Sequence, residues 1–512
     1  MNIKQAKEEI KNCIEAYLLT DEHGDYVIPS VNQRPLLVTG PPGIGKTQMM
    51  EQVAAECGVG FVPYTITHQT EESVVSQPYL EKRRYDGREY VVTEYTMSKI
   101  VAAVYEYMEL TGVKEGILFI DEFNALPDAL QPAMRQFLQC KTFGNDRLPD
   151  GWVIIMAGSM AEYIDTVPVM GMGMLDRIIN LRVKADFDAW KDYAFENALH
   201  PAVISYLDAN RDNLFCVEFG DTGQMFATPR GWEDLARILE INEKLGKKVD
   251  SKTISQYIGH SGIVKNFAEF LPLFSIYKSE YRIDRVLAGD TYDDLAIRIS
   301  NAFPVEKASV VNIVLDKLNT KFREVNTREL YLGLLLEQLK KIKDAARMHI
   351  ASQESGKIPD DGGVPEYLGF LRAEIVSDLD RRRRQDLISR EEEKAGRAVA
   401  ERLKAYNRNL IETRCTAWSL GFKQVCHLFE KESGDYERLC ENILSMMECA
   451  FDFFEASFGG GPEVVKFVTE LNNNYYSNKF LTDNKCDRYY EYNKRLTFES
   501  KEDSLRNRLA KL

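Results

Sequence analysis

Gly40, Pro41, Pro42, Gly43, Ile44, Gly45, Lys46 and Thr47 stand together between two stretches of opposite character. Before them, Arg34–Thr39 is a short apolar run, the pattern of a buried strand. After them, Gln48–Cys57 has helical character, and Gly58 is placed to end it. A chain that passes from strand to helix through such a loop can wrap the loop around an anion. Glycines bend without a Cβ in the way, so successive backbone N–H groups point inward. The helix start adds unpaired N–H groups and the positive end of its dipole. The spacing G-x-x-x-x-G-K-[ST] is filled at every defined position, which makes this a nucleotide site. Lys46 is expected to reach the β- and γ-phosphates, and the Thr47 hydroxyl to ligate Mg²⁺. An ordinary Gly/Pro turn is the competing reading, and the strand–loop–helix context weighs against it.

A second feature answers the first. Gly116–Glu122 runs through four apolar residues into Asp121 and Glu122, as a central parallel strand does when its C-terminal end faces a ligand. Asp121 is expected to bind Mg²⁺, directly or through water, and Glu122 to orient or deprotonate an attacking water. Solvated carboxylates at a strand end are common; the upstream phosphate loop favours the functional reading.

The remaining strands fit the same frame. Phe61–Thr67, Trp152–Ala157 and Arg177–Val183 read as strands, alternating with helices at Met97–Leu110 and at Ala129–Cys140, the latter capped by Asp128. Lys82–Val92 reads as a hairpin turning at Asp86-Gly87. Residues 1–20 form a helix with Ile3, Ala6, Ile10, Cys13, Ile14 and Leu18 on one face, and Lys141–Gly151 is a loop. The fold class that follows is α/β: a parallel sheet flanked by helices, then a helical lid and a large all-α C-terminal region. The expected division is 1–30 lead-in, 31–185 nucleotide-binding core, 186–246 helical lid without strands, 247–352 helical region, 353–365 linker and 366–512 helical domain. Two stripes mark the tail: Leu332, Leu335, Leu336, Leu339 and Ile342, then Leu439, Cys440, Ile443, Leu444, Met447, Phe451 and Phe454. Phe458–Pro462 breaks the last helices.

In this order the phosphate loop, the Ile120-Asp-Glu122 strand end, a polar residue ending the next strand, Leu175-Asp-Arg177 and Thr228-Pro-Arg230 resemble an AAA+ ATPase module, specifically over about residues 30–245. Ile120–Pro127, Gln136–Leu138 and Lys141–Asn145 resemble the MoxR type more narrowly, and Phe467–Leu471 and Asn474–Ser477 are similar to tails of related bacterial ATPases. The resemblance implies ATP and Mg²⁺ as ligands, a hexameric ring, and a chaperone-like role on a client protein, commonly beside a von Willebrand factor A domain protein. It also implies that Arg177 reaches into a neighbouring subunit's site and that Arg230 reports the γ-phosphate to the lid. Ser159 stands where the family carries an amide, often Asn; its shorter hydroxyl cannot bridge two groups, which implies intact binding and slowed hydrolysis. A shifted frame, with another polar residue serving, is the alternative, though not Asn124, which follows the acidic pair.

The net charge of -14 argues against a nucleic-acid motor, because that affinity rests on neutralising phosphates. Arg381–Arg384 is followed by Asp386 and Glu391–Glu393, the pattern of a solvated face. Nine cysteines without a C-x-x-C pair read as reduced thiols in a cytoplasmic protein, and six scattered histidines give no zinc motif. No apolar run approaches the roughly 20 residues that span a bilayer. The methionines of Val169–Met174 suit either core filling or an adjustable inter-subunit surface. Two functions compete: a remodelling ATPase, and a nucleotide-dependent scaffold or switch that hydrolyses weakly.

Overall fold

A computed structural model describes the chain except residues 66–77, 87, 127–129, 144–145, 160–175, 221–222, 291–292, 355–362, 385–387 and 497–512. Asp128, Asn145, Leu175 and the methionine run therefore lie outside the described residues. The chain forms two compact units, Met1–Lys191 with Asn210–Lys265, and Asp192–Ala209 with Asn266–Leu512.

In chain order the elements are α1 (Ile3–Leu18), β1 (Leu36–Thr39), α2 (Lys46–Cys57), β2 (Gly60–Thr65), β3 (Pro78–Tyr85), β4 (Arg88–Tyr95), α3 (Lys99–Thr111), β5 (Gly116–Asp121) and α4 (Gln131–Cys140). Then come β6 (Thr142–Phe143), β7 (Asp146–Arg147), β8 (Trp152–Gly158), β9 (Ile179–Arg182), α5 (Phe187–Glu196), α6 (Pro201–Ala209), β10 (Cys216–Gly220), β11 (Gly223–Ala227) and α7 (Pro229–Lys244). The helices α8 (Ser251–Ile254), α9 (Ser261–Glu280), α10 (Ile283–Leu287), α11 (Asp293–Ser300), α12 (Pro304–Glu354), α13 (Gly363–Arg384), α14 (Arg390–Glu412), α15 (Trp418–Phe458), α16 (Pro462–Asn473) and α17 (Tyr475–Asp483) follow.

The first unit is built on a five-stranded sheet in the order β2-β5-β8-β1-β9, with every neighbouring pair parallel. Strand alternation sends side chains to two separate cores. Leu37, Leu118, Ile120, Ile154 and Met156 pack on one face with Ile100, Val101 and Val104 of α3 and Met134 and Phe137 of α4. Val38, Ile117, Phe119, Val153 and Ile155 pack on the other with Ala6, Ile10 and Ile14 of α1 and Met50 and Val53 of α2. Burial on both faces explains why these strands read as unbroken apolar runs. Parallel order also puts the C-terminal ends of β1, β5 and β8 on one edge, side by side.

Three local expectations need correction. The stretch expected to be a strandless lid contains the antiparallel hairpin β10–β11. His260 Nε2 lies 3.1 Å from Glu218 on that hairpin, and the Ile263 N–H donates to Nδ1, which leaves the ring proton facing the carboxylate. The loop expected at Lys141–Gly151 holds the small hairpin β6–β7. The helix expected from Ala129 starts at Gln131, with no side-chain cap at Leu130. The Asp86 turn is where the sequence puts it, since Tyr85 pairs with Arg88 and Asp86 has φ +50°.

In the second unit the regular elements among the described residues are all helices. Tyr331, Leu335, Leu339 and Ile342 of α12 share a core with Val364, Leu368 and Leu371 of α13, Val399 and Leu403 of α14 and Val425 of α15. Helices on both sides of the expected 353–365 linker thus belong to one core; α12 runs to Glu354 and α13 begins at Gly363. Within the charged run, Arg381 pairs with Asp378 and Arg383 with Glu393, as a solvated face does.

Candidate functional site

Gly43 and Gly45 have φ of +74° and +88°, the left-handed region that glycine enters without strain. Gly45 is also the N-cap residue of α2. The loop therefore leads from the end of β1 straight into the α2 N-terminus, whose first N–H groups have no partner within the helix. Inside the loop, Lys46 Nζ donates to the carbonyls of Gly40 and Pro41 at 3.0 and 2.9 Å. Burial lowers the Lys46 ammonium to about 8; the Asp121 carboxylate opposes this and the Arg230 guanidinium adds to it.

Thr47 Oγ1 donates to Asp121 Oδ2 at 2.7 Å. The first turn of α2 and the tip of β5 are therefore in direct contact, although 74 residues separate these two side chains in sequence. A hydroxyl and a carboxylate oxygen side by side are the hard donors that magnesium takes. Glu122 follows in the left-handed region, at φ +55° and ψ +37°, with its side chain exposed. Its N–H donates to Asp121 Oδ1 at 2.8 Å.

Arg230 arrives from α7. Its N–H donates to the Gly43 carbonyl at 3.1 Å, and a Cβ at Gly43 would stand 3.1 Å from Thr228 Oγ1 and 3.4 Å from Arg230 Cβ. Thr228 caps α7 by accepting from the Gly231 N–H, and Pro229 occupies its first turn. The start of α7 is thus seated on the phosphate loop. The sequence named these residues without indicating this contact.

Ser159 follows the last residue of β8 on the same edge, half-buried. Asn124, set aside on sequence grounds, meets it: Asn124 Nδ2 donates to the Ser159 carbonyl at 3.2 Å, and the Ser159 N–H donates to Asn124 Oδ1 at 2.9 Å. Arg177 lies elsewhere. It is exposed and precedes β9, at the N-terminal edge of the parallel sheet, whereas the loop is at the C-terminal edge. Four residues of strand, about 13 Å, separate the two edges. The structure therefore gathers Lys46, Thr47, Asp121, Glu122, Ser159 and Arg230 and leaves Arg177 at the opposite edge of the sheet.

Residues 35–149 match the family model of the AAA domain, dynein-related subfamily. Over that stretch the unit is similar to an AAA+ P-loop module. The matched stretch carries the AAA+ loop, Asp121, Glu122 and Asn124, but ends before Ser159, Arg177 and Arg230. Matching solved structures include two point mutants of Thermotoga maritima RuvB, each 15% identical to this chain. One covers 57% of this chain and 84% of that one at a TM-score of 0.29. The other covers 56% and 81% at 0.30. At that level of superposition they say nothing further about the AAA+ module. No curated protein sequence matches the chain significantly. Among the described residues, no helix is long and apolar enough to cross a membrane.

Proposed function

We propose that the chain binds Mg·ATP at Gly40–Thr47 and hydrolyses it to remodel or activate a client protein, in the manner of MoxR-type AAA+ ATPases and in a cytoplasmic setting. The observation that carries this reading is the Thr47–Asp121 contact beneath a loop that already holds Lys46 and the start of α7. Loop amides and Lys46 bind the phosphates and hold them in place for in-line attack. Thr47 and Asp121 would hold Mg²⁺, which supplies neutralising charge at the phosphate oxygens when bound. Glu122, exposed beside them, orients the attacking water and takes its proton. Arg230 couples the loop to α7 through Gly43. The position of Arg177 at the opposite sheet edge favours a role in trans, on a neighbour's nucleotide, and with it a ring, a hexamer by family likeness. A von Willebrand factor A domain protein is the partner class we expect.

A second reading, an assembly switch with weak hydrolysis, draws support from Ser159, whose side chain is a short hydroxyl where the likeness implies an amide. Steady-state turnover separates the two. The remodelling reading expects ATP hydrolysis that Glu122→Gln lowers by about 10²-fold or more with binding retained. The switch reading expects slow turnover that Ser159→Asn raises. Absence of Mg·ATP binding by the folded protein would sink both.

A further inference from the structure

The Asn124 amide does more than follow the acidic pair. Beyond the last registered residues of β5 and β8, Ile120 and Met156, no strand ladder holds the two chains together. There the Asn124 side chain replaces the ladder, giving one hydrogen bond to the Ser159 carbonyl and taking one from the Ser159 N–H. It lies in the short 3₁₀ turn Phe123–Ala125, which the Ala125 N–H closes onto the Glu122 carbonyl at 2.8 Å. Glu122 itself holds a left-handed conformation that a non-glycine residue keeps only when its surroundings enforce it. On the other side, the Gly40 N–H donates to the Gly158 carbonyl at 3.3 Å. Main-chain contacts therefore run from the phosphate loop through Gly158 and Ser159 to Asn124 and the Glu122 turn.

Gly158 fits this arrangement. A Cβ there would stand 2.4 Å from Asn124 Oδ1, closer than any side chain tolerates, so a residue other than glycine would displace the amide.

We infer that Asn124 is a positioning residue for hydrolysis, fixing Glu122 and the Ser159 hydroxyl relative to each other by clamping the end of β8 to the turn after β5. The amide is supplied from the turn after the neighbouring strand, and acts on the main chain of Ser159. This rests on the proposed ATPase reading and adds to it a residue that acts through Ser159 and the Glu122 turn. Because the Asn124 amide bonds the Ser159 main chain and no residue of the Gly40–Thr47 loop, it governs turnover and not affinity.

The test is a mutant cycle in the full chain, comparing wild type, Asn124→Ala, Gly158→Ala and the double variant. Each is measured for kcat and KM with ATP, for affinity of a fluorescent ATP analogue, and for hydrogen exchange at the Ser159 amide. Asn124→Ala should lower kcat about tenfold or more while KM and affinity stay within about twofold. The Ser159 amide should lose protection in the same variant. Gly158→Ala should reproduce both changes by expelling the amide, and the double variant should be no worse than either single one, because one clamp is lost in each. Wild-type kcat in Asn124→Ala, unchanged Ser159 exchange, or losses that multiply in the double variant would each overturn the inference. An unmutated protein that binds ATP and never turns it over would instead overturn the ATPase reading, and this inference with it.

Discussion

Lys46 is a charged group in a partly buried place, held by two main-chain carbonyls and lowered to about 8 by loss of water. Its charge state links pH to ligand affinity. Bound triphosphate would favour the protonated form and raise the folded protein's value again. Below about 8 the group is protonated in both states and contributes no pH dependence; as pH rises through about 8, binding must take up a proton and affinity falls. Calorimetry of Mg·ATP binding at about pH 8.5, in two buffers of different ionisation heat, should show that uptake. Equal heats would mean that the ammonium stays charged without nucleotide. Lys46, Asp121 and Glu122 were legible from spacing alone. Asn124 was not, because its role depends on which strand lies beside β5, and β8 is reached only after a further 31 residues.

At the scale of elements, strand order does most of the work. Inserting β8 between β5 and β1 brings Asp121, Ser159 and Gly40 to neighbouring strand ends. Helix α7 then closes on the loop through Thr228, whose hydroxyl serves as its cap. Replacing Thr228 by Ala should cost the helix about 0.5–2 kcal/mol and loosen the Arg230–Gly43 seat. We expect KM for ATP to rise, with Thr228→Ser restoring it; a lower melting temperature at constant KM would separate the cap from the seat. The hairpin β10–β11 escaped the sequence reading for a physical reason. Its strands are short and only partly buried, so neither carries the apolar run that betrays a core strand, and Gly220-Asp-Thr-Gly223 was the available turn signal.

At the scale of the whole molecule, the helical unit buries a carboxylate among phenols and guanidiniums. Glu432 is 1% exposed and takes hydrogen bonds from the hydroxyls of Tyr331 and Tyr406, beside ion pairs with Arg328 and Arg402. Burial, with the Glu432 carboxylate, pushes both phenols up. Removing the acid by Glu432→Ala leaves two buried hydroxyls without their acceptor, at a cost of about 1–3 kcal/mol, while the Arg328 and Arg402 guanidiniums, each more than a third exposed, turn to water. Chemical denaturation followed by far-ultraviolet circular dichroism should show the lower midpoint, and an unchanged midpoint would mean that water replaces the carboxylate. This network joins α12, α14 and α15, with Tyr331, Tyr406 and Glu432 separated by tens of residues. Apolar period alone predicted the helices and their stripes: Leu335, Leu339 and Ile342 are buried as expected, while Leu336 is exposed. The chain's local chemistry determined the phosphate loop, the acidic strand tip, the parallel α/β class and the helical tail, since each depends on residues close in sequence. Strand order, the seating of α7 on Gly43, the clamp of Asn124 on Ser159 and the buried Glu432 were decided only by tertiary structure. They are contacts between distant segments, and a single sequence carries no local trace of which distant segments will meet.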